Sequence, residues 1–199
     1  MKKLLSILVF LTVFNITGFA QSNELNGWNK AKWGMSDEVL LETFHLKAIK
    51  IKEQKNPRFS IIMSLLKLND SLKAHIMIPN FKISSLLFDV YFLVDSSNKL
   101  ERVILLEKEK STEAKYFYLK KLLTEKYGKP VDENKQRKSW KSLGSGVPDD
   151  YEIESVWNFV NTNIELEYRE VSLPSSILKD NCFLRIMYYQ SQTEDLDKL

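Results

Sequence analysis

The amino-acid sequence predicts an α+β fold: two halves that each run helix and then antiparallel strands, with the helices packed on one face of an antiparallel sheet. Two amphipathic segments, opening at Ser36 and near Ser111, have apolar residues at helical spacing, and each is followed by sequence whose apolar residues recur at every second position. Short polar runs such as Asp95-Ser96-Ser97-Asn98-Lys99 and Asn161-Thr162-Asn163 separate the strand-like stretches. On this reading residues 21–190 form a single α+β domain with a pseudo-repeat, 28–107 and 111–190, and 191–199 is a polar tail that frays.

The first helix is expected from Ser36 to Leu46. Ser36 suits an N-cap, Asp37 and Glu38 complement the helix dipole, and Val39, Leu40, Thr43 and Phe44 share a face. The stretch Arg58 to Leu68 fits a strand or a helix equally. Ala74 to Ile83 reads as a strand that Pro79 confines to an edge or a bulge, because proline cannot donate a ladder hydrogen bond. Leu86, Phe88, Val90, Phe92 and Val94 alternate with their neighbours, and the Asp95–Lys99 turn leads into Leu100 to Glu107, a hairpin.

The second helix runs from Ser111 or Thr112 to Tyr127, with Tyr116, Leu119, Leu123 and Tyr127 three and four apart, Gly128 as C-cap and Pro130 beyond it. Arg137 to Leu143 would pair with Tyr151 to Val160 across a Gly144–Pro148 loop, followed by a strand through Ile164, Leu166 and Tyr168 and a last one from Asn181 to Tyr189. Trp28 or Trp33 is expected to plug the core. Only one of Tyr188 and Tyr189 should belong to the core, and Cys182, in phase with Leu184 and Ile186, should be a buried, unreactive thiol.

Residues 1–20 carry the address. Lys2 and Lys3 precede an apolar run, Leu4 to Phe14, that is shorter than the roughly 18 to 20 residues of a stable span, and Gly18 and Ala20 suit a signal-peptidase site. The mature chain would begin at Gln21 and be a soluble periplasmic or extracellular protein with no transmembrane span. Cleavage removes two of 29 basic residues, leaving 27 against 26 acidic ones, a net of +1. A near-neutral chain argues against nucleic acid as a partner, which requires a basic face. Cys182 is the single cysteine, so no internal disulfide forms.

No catalytic, cofactor-binding or metal-binding constellation is legible. His45 and His75 are thirty residues apart without metal-ligand spacing, and Gly144-Ser145-Gly146 is neither a phosphate loop nor a nucleophile elbow. Glu165 and Glu167 should face solvent opposite Ile164, Leu166 and Tyr168. The one electrostatic feature is the cluster Lys135, Arg137, Lys138 and Lys141 around Trp140, followed beyond the loop by Asp149, Asp150, Glu152 and Glu154. It reads either as a hairpin whose strands neutralise each other, the preferred reading, or as a partner-binding site for an anionic group with Trp140 as a stacking platform.

Trp33-Gly34-Met35-Ser36-Asp37-Glu38-Val39, Tyr127-Gly128-Lys129-Pro130 and the Phe92 to Val103 hairpin resemble segments of small exported bacterial α+β proteins of the outer-membrane-assembly lipoprotein and beta-lactamase-inhibitor-protein type. The resemblance implies a fold of helices on a sheet and a role in binding proteins. The chain departs from both, having no cysteine at the cleavage point and no disulfide. The expected function is that of an exported, soluble, non-enzymatic protein that binds a protein or a cell-envelope component, without a cofactor. The alternative is a secreted enzyme or small-ligand carrier.

Overall fold

The computed structural model describes residues 25–51, 72–138, 150–170 and 182–191. The expected signal segment, the ambiguous stretch 58–68 and the loop with Trp140 and Lys141 lie outside them. The elements run α1 (Asp37–Phe44), a 3-10 turn (His45–Lys47), β1 (Ile49–Lys50), β2 (Lys73–Ile83), β3 (Leu86–Val94), β4 (Leu100–Glu107), α2 (Glu113–Tyr127), β5 (Asp132–Lys138), β6 (Asp150–Asn158), β7 (Thr162–Glu170) and β8 (Cys182–Gln190). All eight strands belong to one antiparallel sheet in the order β1-β2-β3-β4-β8-β7-β6-β5.

This corrects the expected fold class. Strands hold 52% and helices only 21% of the described residues, so the described part of the chain is mostly a single antiparallel sheet rather than a helix-packed α+β fold of two helix-and-strands halves. The physical cause is the last strand. β8 enters between β4 and β7 and pairs with both, Val103 to Tyr188 on one side and Ile164 to Tyr188 on the other, so the two sets of strands share one hydrogen-bonded ladder.

The longer helix, α2, forms where capping and spacing predict. Thr112 caps α2, its hydroxyl accepting the Lys115 N–H at 3.3 Å, and Tyr116, Leu119 and Leu123 are buried. At the far end the Gly128 N–H donates to the Thr124 carbonyl, with φ at +87° and ψ at −174°. That pair of angles lies in the region open essentially to glycine, beyond the usual left-handed cap. α1 is shorter than expected. Leu40 and Phe44 are buried but Val39 is exposed, and the Ser36 hydroxyl donates to Glu38 instead of accepting from the helix backbone.

β2 meets β3 through two register shifts, one of them between Ile78 and Phe81 at Pro79, the irregularity that a proline inside a strand requires. The β3–β4 turn is closed by Asp95, whose Oδ1 accepts the Ser97 and Lys99 N–H groups. The first hairpin of the second half starts earlier than expected, at Asp132 rather than Arg137.

Two apolar clusters occupy opposite faces of the sheet. The first gathers Trp28, Leu40, Phe44, Phe88, Phe92, Tyr116, Trp157, Leu166, Ile186 and Tyr188 with their neighbours. Trp28 fills its expected place, its indole within 6.5 Å of the rings of Phe44, Phe81, Phe92 and Tyr188. Trp33 is partly buried, and its Nε1–H donates to the Asn161 carbonyl at 2.8 Å. The second cluster holds Leu72, Tyr91, Leu93, Ile104, Leu106, Phe183 and Met187, with Tyr189 packed against it. Both tyrosines of the last strand therefore join apolar clusters, one on each face. Cys182 shares the face of Leu184 and Ile186 but is only half-buried, because it opens the strand at its end.

Candidate functional site

Of the charged residues singled out beyond the second helix, Lys135, Arg137 and Lys138 lie on the outermost strand and Asp150, Glu152 and Glu154 on its neighbour; Lys141 and Asp149 lie outside the described residues. β5 pairs with β6 in a register that sets Lys135 opposite Ile153, Gln136 opposite Glu152, Arg137 opposite Tyr151 and Lys138 opposite Asp150. Directly opposite residues share a face, so in this register odd positions oppose odd and even oppose even. Lys135 and Arg137 therefore share a face with Tyr151, whereas Glu152 and Glu154 project from the other face. The preferred reading, a hairpin neutralised strand against strand, fails for these two cations by the parity of a single register. Lys138 is opposite an acid, Asp150, as that reading requires.

On the first face the two cations settle on an aromatic ring. The Lys135 ammonium lies 5.3 Å and the Arg137 guanidinium carbon 5.5 Å from the centroid of Tyr151, within the range of cation–π attraction. The Tyr151 hydroxyl donates to Glu113 Oε1 at 2.8 Å, which ties the ring to the first turn of α2, and Lys135 reaches the same oxygen at 3.4 Å. The Tyr151 hydroxyl and then the Glu113 carboxylate raise the Lys135 pKa above its ordinary value. Tyr151 also meets Tyr168 edge to face, and the Tyr168 hydroxyl donates to Glu170 Oε1 at 2.6 Å.

Glu113, Lys135, Gln136, Arg137, Tyr151 and Glu170 line an open groove of about 500 Å³. Lys135 is paired with Glu113, but Arg137, also in the lining, meets no carboxylate at ion-pair distance among the described residues. A guanidinium carries its donors in a planar, rigid fork, the arrangement that takes a carboxylate or phosphate in two parallel hydrogen bonds.

On the opposite face the acids find a different cation. Arg185, 7% exposed in the otherwise apolar run of β8, donates from Nε to Glu167 and from Nη2 to Glu165 Oε1 at 2.5 Å. Glu167 is 2% exposed, so the expectation that Glu165 and Glu167 face solvent is corrected: both project away from Ile164 and Leu166, but onto a buried guanidinium. Burial raises the Glu167 pKa, with Arg185 opposing it. Arg169 lies 4.0 Å from Asp150 and 3.9 Å from Glu152. The signal for this cluster was Arg185 itself, a charge inside Phe183-Leu184-Arg185-Ile186-Met187 that needs a partner if the strand is buried. Tyr151, Glu113 and Glu170 had no comparable signal, because only the pairing of strands and the docking of α2 bring them together.

His75 Nδ1 lies 2.8 Å from Asp37 Oδ2, a contact between β2 and the first turn of α1. Among the described residues no group of three or more potential metal-ligating side chains is arranged to hold a metal, and no helix is long and apolar enough to cross a membrane. No family model, no curated protein and no solved structure matches the chain.

Proposed function

We propose that this is an exported, non-enzymatic protein that binds a protein or cell-envelope component, and that the partner is met at the groove between β5, β6 and the start of α2. The observation that supports this reading is Arg137, whose guanidinium lies over Tyr151 in the lining of an open groove and meets no carboxylate among the described residues. Lys138, Trp140 and Lys141 continue the chain from that strand and are proposed as further contacts for the same anionic partner. The groove is open and lined by charged side chains, the character of a contact surface more than of a water-excluding reaction site. The fold implied by the resemblance to exported binding proteins is not the one found, so the proposal rests on the groove.

Export rests on residues 1–20, and N-terminal sequencing of the secreted product is expected to begin at Gln21; retention of Met1 would refute it. Partner binding is tested by affinity capture from envelope extracts with the mature wild type and the Arg137→Glu variant. The reading predicts a defined partner that the wild type holds, that the variant loses, and that high salt releases. Equal capture by both proteins would remove the groove from the binding surface. The alternative, a carrier of a small anionic ligand, is favoured by the groove volume, which lies within the range of ligand sites, and predicts instead a stoichiometric small molecule in the purified protein.

A further inference from the structure

We propose that Glu154 is a proton-responsive switch on the sheet face opposite the groove: in mildly acidic surroundings it binds a proton, and that face loses one negative charge while the sheet beneath it becomes more stable. The cross-strand register places Glu154 directly opposite Glu167, and Glu167 directly opposite Arg185. Glu154, Glu165 and Glu167 thus share a face with Arg185, whose guanidinium contacts the last two. Arg185 commits Nε to Glu167, Nη2 to Glu165, and directs Nη1 at the Met187 sulfur at 3.4 Å. Glu154 receives none of these donors, and like charges directly opposite in a sheet repel.

Every strand beside Glu154 leaves the imbalance in place. On its own strand Glu152 follows on the same face; β7 presents Glu165, Glu167 and Arg169; β8 presents Arg185 and Tyr189. On β5 the opposite residue is the uncharged Asn134, flanked on that face by Asp132 and Gln136. Arg169 lies toward Asp150 and Glu152. Burial first, then the charges of Glu165, Glu167 and Glu152, push the Glu154 pKa up to about 7, against the opposing pull of Arg185.

The sign follows from linkage. A carboxyl whose pKa is higher in the folded than in the unfolded chain makes the folded state bind more protons between the two values, so stability rises as pH falls from about 7 toward the ordinary carboxylate range. Most paired carboxylates act in the opposite direction.

The test is a carbon-13 titration of the glutamate carboxyl groups in the mature protein, together with urea denaturation at about pH 8 and about pH 5.5 for the wild type and Glu154→Gln. The expected results are a Glu154 midpoint near 7, a wild-type denaturation midpoint that rises on acidification, and a Gln variant in which that rise is smaller. Subtracting the variant removes every contribution the two proteins share. A Glu154 midpoint in the ordinary carboxylate range, or an equal pH response in both proteins, would overturn the proposal. Should the variant fail to fold, the wild-type titration decides alone, and a proton that enters at Glu167 with Glu154 still ionised would also reject it.

Discussion

The middle of the sheet and its β5–β7 end are built on different principles. In β3 and β4, consecutive residues on both faces are buried: Val90 through Val94 form an unbroken buried run, with Phe92 in the first cluster and Leu93 in the second. At the β5–β7 end only one face is apolar. Tyr151, Ile153, Ser155 and Trp157 are buried while the alternate residues Glu152, Glu154 and Val156 are half-exposed, so β6 shows strict alternation. The comparison teaches that a sheet can be continuous in its hydrogen bonds and discontinuous in its solvent. One part is a core strand pair buried on both faces; the other carries its charged groups on one face, with Glu167 and Arg185 buried there, and a polar groove at its edge.

The largest expected effects break this contrast in its apolar part. Phe92→Ala should destabilise the protein by about 3–5 kcal/mol and Leu93→Ala by about 2–5 kcal/mol, because both side chains are fully buried although they point in opposite directions. Urea denaturation would measure both. If Leu93→Ala cost as little as a surface change, the second cluster would not be a genuine core.

At the charged end Arg185→Met should cost about 3 kcal/mol near neutral pH, since it leaves Glu165 and Glu167 together without their cation, one of them buried. Adding Glu167→Met to that variant should recover most of the loss, because an apolar pair of similar volume removes the uncompensated charge. A double variant no better than the single one would mean that packing, not charge, sets the value of Arg185.

Gly128→Val should cost about 1 kcal/mol or more. A Cβ at Gly128 would meet no atom within 4 Å, so the cost is confined to a backbone conformation that β-branched residues do not adopt. An unchanged denaturation midpoint would show that α2 can end in another way. Arg137→Glu sits at the bottom of the scale: less than about 1 kcal/mol of stability, as for other exposed charges, with its effect appearing in partner capture instead. A loss of several kcal/mol would make Arg137 a structural residue and remove the main support for the groove as a binding surface.

Much of this architecture is local and therefore legible. The span of α2, the Leu86–Glu107 hairpin and its Asp95 turn, and the irregularity at Pro79 each follow from residues within a few positions of one another, where a cap, a turn or a missing N–H decides the outcome. The candidate site was legible only in part. Its cations stood out as a charge cluster, but their partners did not: charge complementarity along the sequence suggested Glu152 and Glu154, while the pleat sends those acids through to the other face.

What the sequence by itself determined is most of the elements and one apolar face of each, because periodicity and capping act over one or two turns of chain. Only the tertiary structure decided that β8 would sit between the halves and make one sheet of them, that Arg185 would meet Glu165 and Glu167, and that Arg137 would rest on Tyr151. The physical reason is register. Each of these pairings is made between separate strands, and because side chains alternate with a period of two, a shift of one residue exchanges every partner for one on the opposite face.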